Sequence, residues 1–208
     1  MDTKAFQKMS YGLYLVSSNC DGKTGGCVVN TLMQVTSKPL QVTLTINKDN
    51  YTTSIIEKSG YFEGVALSQE ATMELIRAFG FQSSKDKNKF EGFETEIDCH
   101  DIPYVCEQVV ARYTCKVKSS MDVGTHKVFL AEIDDAEVLD KDEPPMTYAY
   151  YHSVKKGVTP PKASSYIPEE KKTGYRCQIC GYILEADTIP EDYVCPVCGN
   201  GREQFVKL

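Results

Sequence analysis

Four cysteines near the C-terminal end have the spacing of a metal site. Cys177 and Cys180, then Cys195 and Cys198, form two C-x-x-C pairs separated by a short spacer. Each pair can turn both sulfurs toward one point through a tight knuckle, and two facing knuckles make a tetrahedral S4 site. Such a site holds zinc or a single iron, and the ligands alone do not choose between them. Gly181 and Gly199 follow the second cysteine of each pair. A missing Cβ there lets backbone N–H groups approach the sulfurs, and hydrogen bonds of that kind tune the potential of a thiolate-bound iron. Tyr175, Tyr182, Tyr193 and Phe205 supply an aromatic surround.

A second candidate site is the polar stretch from Asn30 to Thr52, N-T-L-M-Q-V-T-S-K-P-L-Q-V-T-L-T-I-N-K-D-N-Y-T. Two strands joined by a turn rich in hydroxyl and amide side chains can present donors to a phosphate or a flavin ring edge. The loop Gln82–Gly92 carries Lys85, Lys87 and Lys89 and reads either as a solvated excursion or as an anion-binding loop. Among the three histidines, His126 is the candidate for chemistry, with a satisfied strand histidine as the alternative. Tyr148, Tyr150 and Tyr151 form an aromatic cluster that reads as packing or dimer contact, with cofactor stacking as the alternative. There is no G-x-G-x-x-G after a first strand, no Walker loop and no His/Glu metal motif.

The elements that must position these residues are mostly strands. Leu13–Ser18, Cys27–Val35, Leu40–Asn47 and Tyr61–Leu67 are predicted strands, with turn chemistry at Asp21-Gly22 and Gly25-Gly26. Leu40, Val42, Leu44 and Ile46 alternate with Gln41, Thr43 and Thr45, the pattern of a half-buried antiparallel strand. Thr52–Ser59 is a short helix stopped by Gly60, and Ser68 caps a helix running to Phe79. Gln108–Lys118 and Thr125–Leu139 are longer strands joined by a turn at Ser119–Gly124. Strands broken by short helices suggest a small barrel with helical caps. Thr159–Lys172 contains three prolines and several charges, and reads as an extended, mobile linker ahead of the metal module. The expected organisation is therefore 1–156, a linker 157–172 and a small module 173–208.

At 208 residues the chain has room for one ordinary domain and a small one. A formal charge of −6 argues against a nucleic-acid partner and suits docking to a basic patch on a protein. No apolar run approaches a membrane span. Nine cysteines without a signal-peptide pattern point to a reducing cytoplasm. Cys20, Cys27, Cys99, Cys106 and Cys115 show no ligand spacing and read as small apolar residues.

Y-x-C-x-x-C-G-Y followed by C-P-x-C-G and a later Phe resembles rubredoxin, the one-iron electron carrier, with a spacer shortened as in forms fused to larger proteins. The resemblance implies one iron; a structural zinc ribbon is the alternative. From Phe6 to about Lys156 the chain resembles the flavin reductase-like, FMN-binding split-barrel family. That likeness is carried by S-Y-G-L-Y-L-V-S-S, N-T-L-M-Q-V-T-S-K-P, N-K-D-N-Y-T-T, F-G-F-Q-S-S-K-D-K-N-K-F and G-T-H-K-V-F-L-A-E-I. It implies a mostly β split barrel with short helices and FMN lying along Asn30, Thr31, Leu32, Gln34, Val35, Thr36 and Ser37. Asn47, Lys48, Asn50, Tyr51 and Thr52 would lie near the ribityl phosphate, and Ser83, Ser84 and Lys89 in a loop closing over the cofactor. His126 matches the family's G-x-H near the nicotinamide side, where this chain has Thr125 in place of a common Asp. A homodimer with flavin near the interface is also implied.

The fusion of the two parts resembles the high-molecular-weight rubredoxins. It implies a carrier that takes electrons from an NAD(P)H oxidoreductase through FMN and iron to an acceptor such as a flavo-diiron oxygen or nitric oxide reductase. A flavin accepts a hydride and releases electrons one at a time, which suits a one-electron metal centre. The alternatives are an enzyme that binds nicotinamide itself, and a non-redox interaction protein with a zinc ribbon.

Overall fold

The computed structural model describes residues 2–167 and 173–208. The expected linker boundary at Lys172 lies outside the described residues. The strands of the larger part are β1 (Tyr14–Cys20), β2 (Lys23–Val29), β3 (Leu32–Ser37), β4 (Leu40–Asn47) and β5 (Tyr61–Leu67). They are followed by β6 (Thr95–Ile97), β7 (Pro103–Val105), β8 (Val109–Asp122) and β9 (His126–Val138). Helices α1 (Tyr51–Ser59), α2 (Met73–Gly80) and α3 (Tyr148–Ser153) are short.

Seven strands form one antiparallel sheet in the order β2-β1-β5-β8-β9-β4-β3. Its two edge strands, β2 and β3, are consecutive in sequence, so the sheet must curl until its ends lie two residues apart. This is the expected split barrel, and Asn30–Thr31 spans the split. The sequence predicts one strand over Cys27–Val35; the structure breaks it at that junction, because β2 pairs with β1 whereas β3 pairs with β4. The remaining pair, β6 and β7, forms a separate two-stranded ribbon that sequence pattern does not announce.

Local chemistry accounts for the ends. Asp21 and Gly22 both have positive φ (53° and 74°), the requirement of the two-residue hairpin between β1 and β2. Asn50 caps α1 by accepting from the Thr52 N–H, and Gly60 ends it with φ 73°. For α2 the cap is Thr72, whose side chain accepts from the Leu75 N–H, and not Ser68. Ser68 is held in extended backbone by a bridge to Pro145, which delays the helix by one turn. The β8–β9 turn falls at 123–125, since the ladder runs on to Asp122↔Lys127.

Val42, Leu44 and Ile46 are buried as their alternation predicts, and they share one interior cluster with Val16, Phe62, Cys115 and Phe129. Leu40 is exposed at the hairpin end. Cys27 and Cys115 are buried in this cluster, and Cys99 is exposed. A second cluster joins Leu13, Leu15, Val65 and Leu67 to Ile76 and Phe79 of α2 and Tyr151 of α3. It continues without a break into the C-terminal module through Cys177, Cys180, Cys195 and Val197. That module is a three-stranded sheet in the order β11-β10-β12, from β10 (Tyr175–Cys177), β11 (Ile183–Leu184) and β12 (Phe205–Lys207). No helix among the described residues is long and apolar enough to cross a membrane.

Candidate metal centre and cofactor pocket

Both knuckles of the module are built alike. The Gly181 N–H donates to the Cys177 carbonyl and the Gly199 N–H to the Cys195 carbonyl, each at 2.9 Å. Both glycines have positive φ, 82° and 72°, a conformation that strains any other residue. The turn that results aims backbone N–H groups at sulfur. Ile179 and Cys180 donate to Cys177, Tyr182 donates to Cys180, and Val197 and Cys198 donate to Cys195.

All four sulfurs are buried and lie within 4.8 Å of one another. Cys177 and Cys198 are 3.6 Å apart, and Cys180 and Cys195 3.5 Å. An ion bonded to four sulfurs at about 2.3 Å would set edges of about 3.8 Å, so the cluster has the dimensions of a tetrahedral thiolate cage. Burial raises the Cys177 thiol to about 11. The bond between Cys180 and Cys195 raises the first and lowers the second. Four crowded sulfurs therefore cannot ionise together unless a cation enters, which is the electrostatic condition a metal satisfies. Tyr193 and Phe205 meet edge to face, with centroids 5.4 Å apart, and Tyr182, Ile179 and Phe205 pack against the same cluster.

The larger part holds a cavity of about 310 Å³, at the small end of the range for ligand sites. Its apolar wall includes Leu13, Val28, Ile46, Ile76 and Phe81, with Tyr148 and Tyr151 of α3. Its polar side carries Asn30 and Thr31 from the split, Thr45 and Asn47 from β4, Asn50 at the start of α1, and His126 at the start of β9. Closing the sheet brings these together: Asn47 is the register partner of His126, and the Thr31 hydroxyl donates to the Thr45 carbonyl at 2.6 Å. Burial lowers the His126 pKa, opposed by the nearby Lys162 carbonyl, so the ring is neutral at pH 7. Its Nδ1 lies 2.8 Å from the Thr125 hydroxyl.

Of the residues expected at the cofactor, Asn30, Thr31, Asn47, Asn50 and His126 thus meet at one cavity. Leu32 points into the barrel interior. Gln34, Val35, Thr36 and Ser37 are exposed along the β3 edge and do not line the cavity. Lys48 pairs with Asp122 at 2.8 Å across the hairpin tip, Tyr51 opens α1, and Thr52 is buried behind it. Ser83 and the cleft-lining Ser84 and Lys89 belong to a different, shallow region. There the Lys89 ammonium donates to the carbonyls of Gly26 (2.8 Å) and Phe79 (3.0 Å), and burial lowers its pKa to about 8. Those bonds, with that between Ser84 and the Gly26 N–H, brace the loop against β2.

The segment expected to be an extended tether closes the cavity instead. Val158 and 160–164 form one wall, and Gln178 and Ile179 of the first knuckle complete it. Asn47 donates to the Lys162 carbonyl (3.0 Å), Asn30 to the Ser165 hydroxyl (2.9 Å), and Lys162 pairs with Asp49 (3.1 Å). Tyr151 donates to the Val158 carbonyl at 3.2 Å, and Tyr148 bonds Thr159 and Ser165. The sequence signal for this role is the i, i+3 spacing of Tyr148 and Tyr151, which places both rings on one side of α3. They stack with centroids 5.8 Å apart.

A family model described as flavin reductase like domain matches residues 6–158, and one described as rubrerythrin, rubredoxin-like domain matches residues 175–206. Over its whole length the chain is 35% identical to the high molecular weight rubredoxin of Moorella thermoacetica, the whole of which is covered. Over 80% of its length it is 45% identical to the ferric-chelate reductase (NAD(P)H) of Archaeoglobus fulgidus, covering 98% of that protein. The NADH:FAD oxidoreductase SgcE6 of Streptomyces globisporus shares the fold at 19% identity, with a TM-score of 0.62 over 69% of this chain and 84% of that one.

Proposed function

The chain belongs to the flavin reductase-like family and ends in a rubredoxin-like domain, and from that premise we propose that it carries electrons through FMN and one iron. The observation that carries the reading is the shared wall. Gln178 and Ile179, between two of the four cysteines, line the same cavity as Asn30, Asn47 and His126. In this reading residues 1–156 hold the flavin, 157–172 connect, and 173–208 hold the iron.

The cavity's chemistry fits a flavin. Isoalloxazine is flat and apolar with a polar edge, matching a lining in which Leu13, Ile46 and Tyr151 are joined by the polar Asn30, Thr45, Asn47 and His126. The phosphate would lie toward the N-terminal end of α1 at Asn50, where the helix dipole favours an anion. Cys177, Cys180, Cys195 and Cys198 would hold the iron. A flavin held there would supply two-electron hydride chemistry with one-electron release, and an iron at the four cysteines would supply one-electron transfer. His126, neutral at pH 7, is placed to accept or donate a hydrogen bond at the cavity edge.

We assign the donor to a separate NAD(P)H oxidoreductase and the acceptor to a redox protein such as a flavo-diiron reductase, in the cytoplasm. A homodimer through the β3 side is supported by Met33, Val35 and Leu40, all exposed apolar residues at that edge. A second reading, a reductase that takes hydride from NAD(P)H itself, is favoured by the likeness to the Archaeoglobus ferric-chelate reductase. Anaerobic mixing with NADH separates them. The carrier reading expects no flavin bleaching until a catalytic amount of a partner reductase is added; bleaching by NADH or NADPH alone at turnover rates establishes the second reading.

A further inference from the structure

Arg77 has no role in the cavity, yet its guanidinium reaches from α2 to the metal module. Its Nε donates to the Val197 carbonyl and its Nη2 to the Pro196 carbonyl. Both carbonyls belong to the Cys195–Cys198 knuckle. The Val197 and Cys198 N–H groups of that knuckle serve the Cys195 sulfur. Arg77 takes the carbonyls of Pro196 and Val197, two adjacent acceptors that suit the planar fork of a guanidinium and not the single point of an ammonium.

We propose that Arg77 is a positioning residue, locking the metal module onto the barrel of its own chain so that the other knuckle, at Ile179, becomes a wall of the cofactor cavity. The inference rests on the functional reading above and deepens it. The two knuckles then divide the work: one is gripped from outside, and the other faces the pocket. Three further observations support a fixed seat. The apolar cluster under α2 runs through Ile76 and Tyr151 into the four cysteines. Tyr151, buried in that cluster, donates its hydroxyl to the Val158 carbonyl at 3.2 Å and so ties the connecting segment to α3. A Cβ added at Gly181 would meet Pro161 and the Thr159 carbonyl at 3.5 Å, so the connecting segment runs directly beside the first knuckle. A swinging tether would leave all three surfaces in water.

The test uses the intact chain reconstituted with FMN and with either zinc or iron. With zinc, backbone ¹⁵N relaxation should give residues 175–207 the same rotational correlation time as β5 and β8. In Arg77→Ala and Arg77→Lys the module's correlation time should fall at least twofold while the barrel's stays unchanged. The spectroscopic arm compares flavin emission, corrected for bound flavin, in the iron and zinc forms. Wild type should be quenched at least tenfold by iron, and both variants should recover at least threefold. Independent tumbling of the module in wild type, or Arg77→Lys behaving as wild type in both arms, overturns the proposal; the wild-type measurement decides even if a variant fails to fold. A chain that binds no flavin would sink the functional reading alone, since the zinc-form relaxation still reports the docking.

Discussion

Replacing Glu63 by Gln is expected to remove a loss of stability that the native protein suffers as pH rises. Glu63 is fully buried on β5, and its Oε2 accepts from the Thr114 hydroxyl at 2.6 Å. Its Oε1 and the Asp98 Oδ2 have no hydrogen-bond partner among the described residues. A proton shared between these two carboxyl oxygens satisfies both. Burial is the main cause of a Glu63 pKa of about 8, against an ordinary 4.5, and the Asp98 carboxyl adds to it. Arg112 offsets little of this at 3.8 Å, because its guanidinium is already bonded to Asp135 and Glu137. Between pH 4.5 and 8 the folded protein holds one proton more than the unfolded chain, so stability falls with rising pH and levels off above 8. A shift from 4.5 to about 8 corresponds to up to about 5 kcal/mol at about 1.36 kcal/mol per pH unit. The amide introduced by Glu63→Gln can donate to Asp98 and accept from Thr114 at every pH. Urea unfolding from pH 5 to pH 9 should therefore show the wild-type midpoint falling relative to the variant by roughly 2 M, for a slope of about 2 kcal/mol/M. Parallel midpoints for the two proteins across that range would refute the shared-proton account.

Other substitutions separate the pocket from its surroundings. Lys89→Met removes two charge-assisted bonds and should lower stability by about 1.5–3 kcal/mol, read by thermal unfolding, while leaving FMN affinity within about twofold. Asn47→Ala should weaken FMN binding at least tenfold in a fluorescence titration, since that amide both lines the cavity and holds the Lys162 carbonyl. Replacing any one of Cys177, Cys180, Cys195 or Cys198 by Ser should abolish the thiolate-to-iron absorption, yet a yellow flavin spectrum should persist.

What was legible in the chain was what local chemistry decides. The C-x-x-C-G pairs specify their own turn, so the metal cage follows from the sequence alone. The alternation from Val42 to Ile46 and the Gly60 stop are likewise set by neighbours in sequence. The break at Asn30–Thr31 was not legible, because β-forming residues run on both sides and only the choice of strand partner interrupts them. Ser68 and Thr72 are both competent caps, and a bridge to Pro145 decides between them. The largest difference concerns the connecting segment. Its prolines and charges read as a free tether, but Asn30, Asn47 and Asp49 hold it from more than a hundred residues away, a pairing with no local signature.

A flavin and a thiolate-bound iron side by side in one chain would show together in a visible spectrum of the purified protein, read with its metal content. The expected result is flavin bands overlaid on thiolate-to-iron absorption, with one iron and one FMN per chain. A natively folded protein that is colourless, carrying stoichiometric zinc after growth in iron-replete medium, would contradict it.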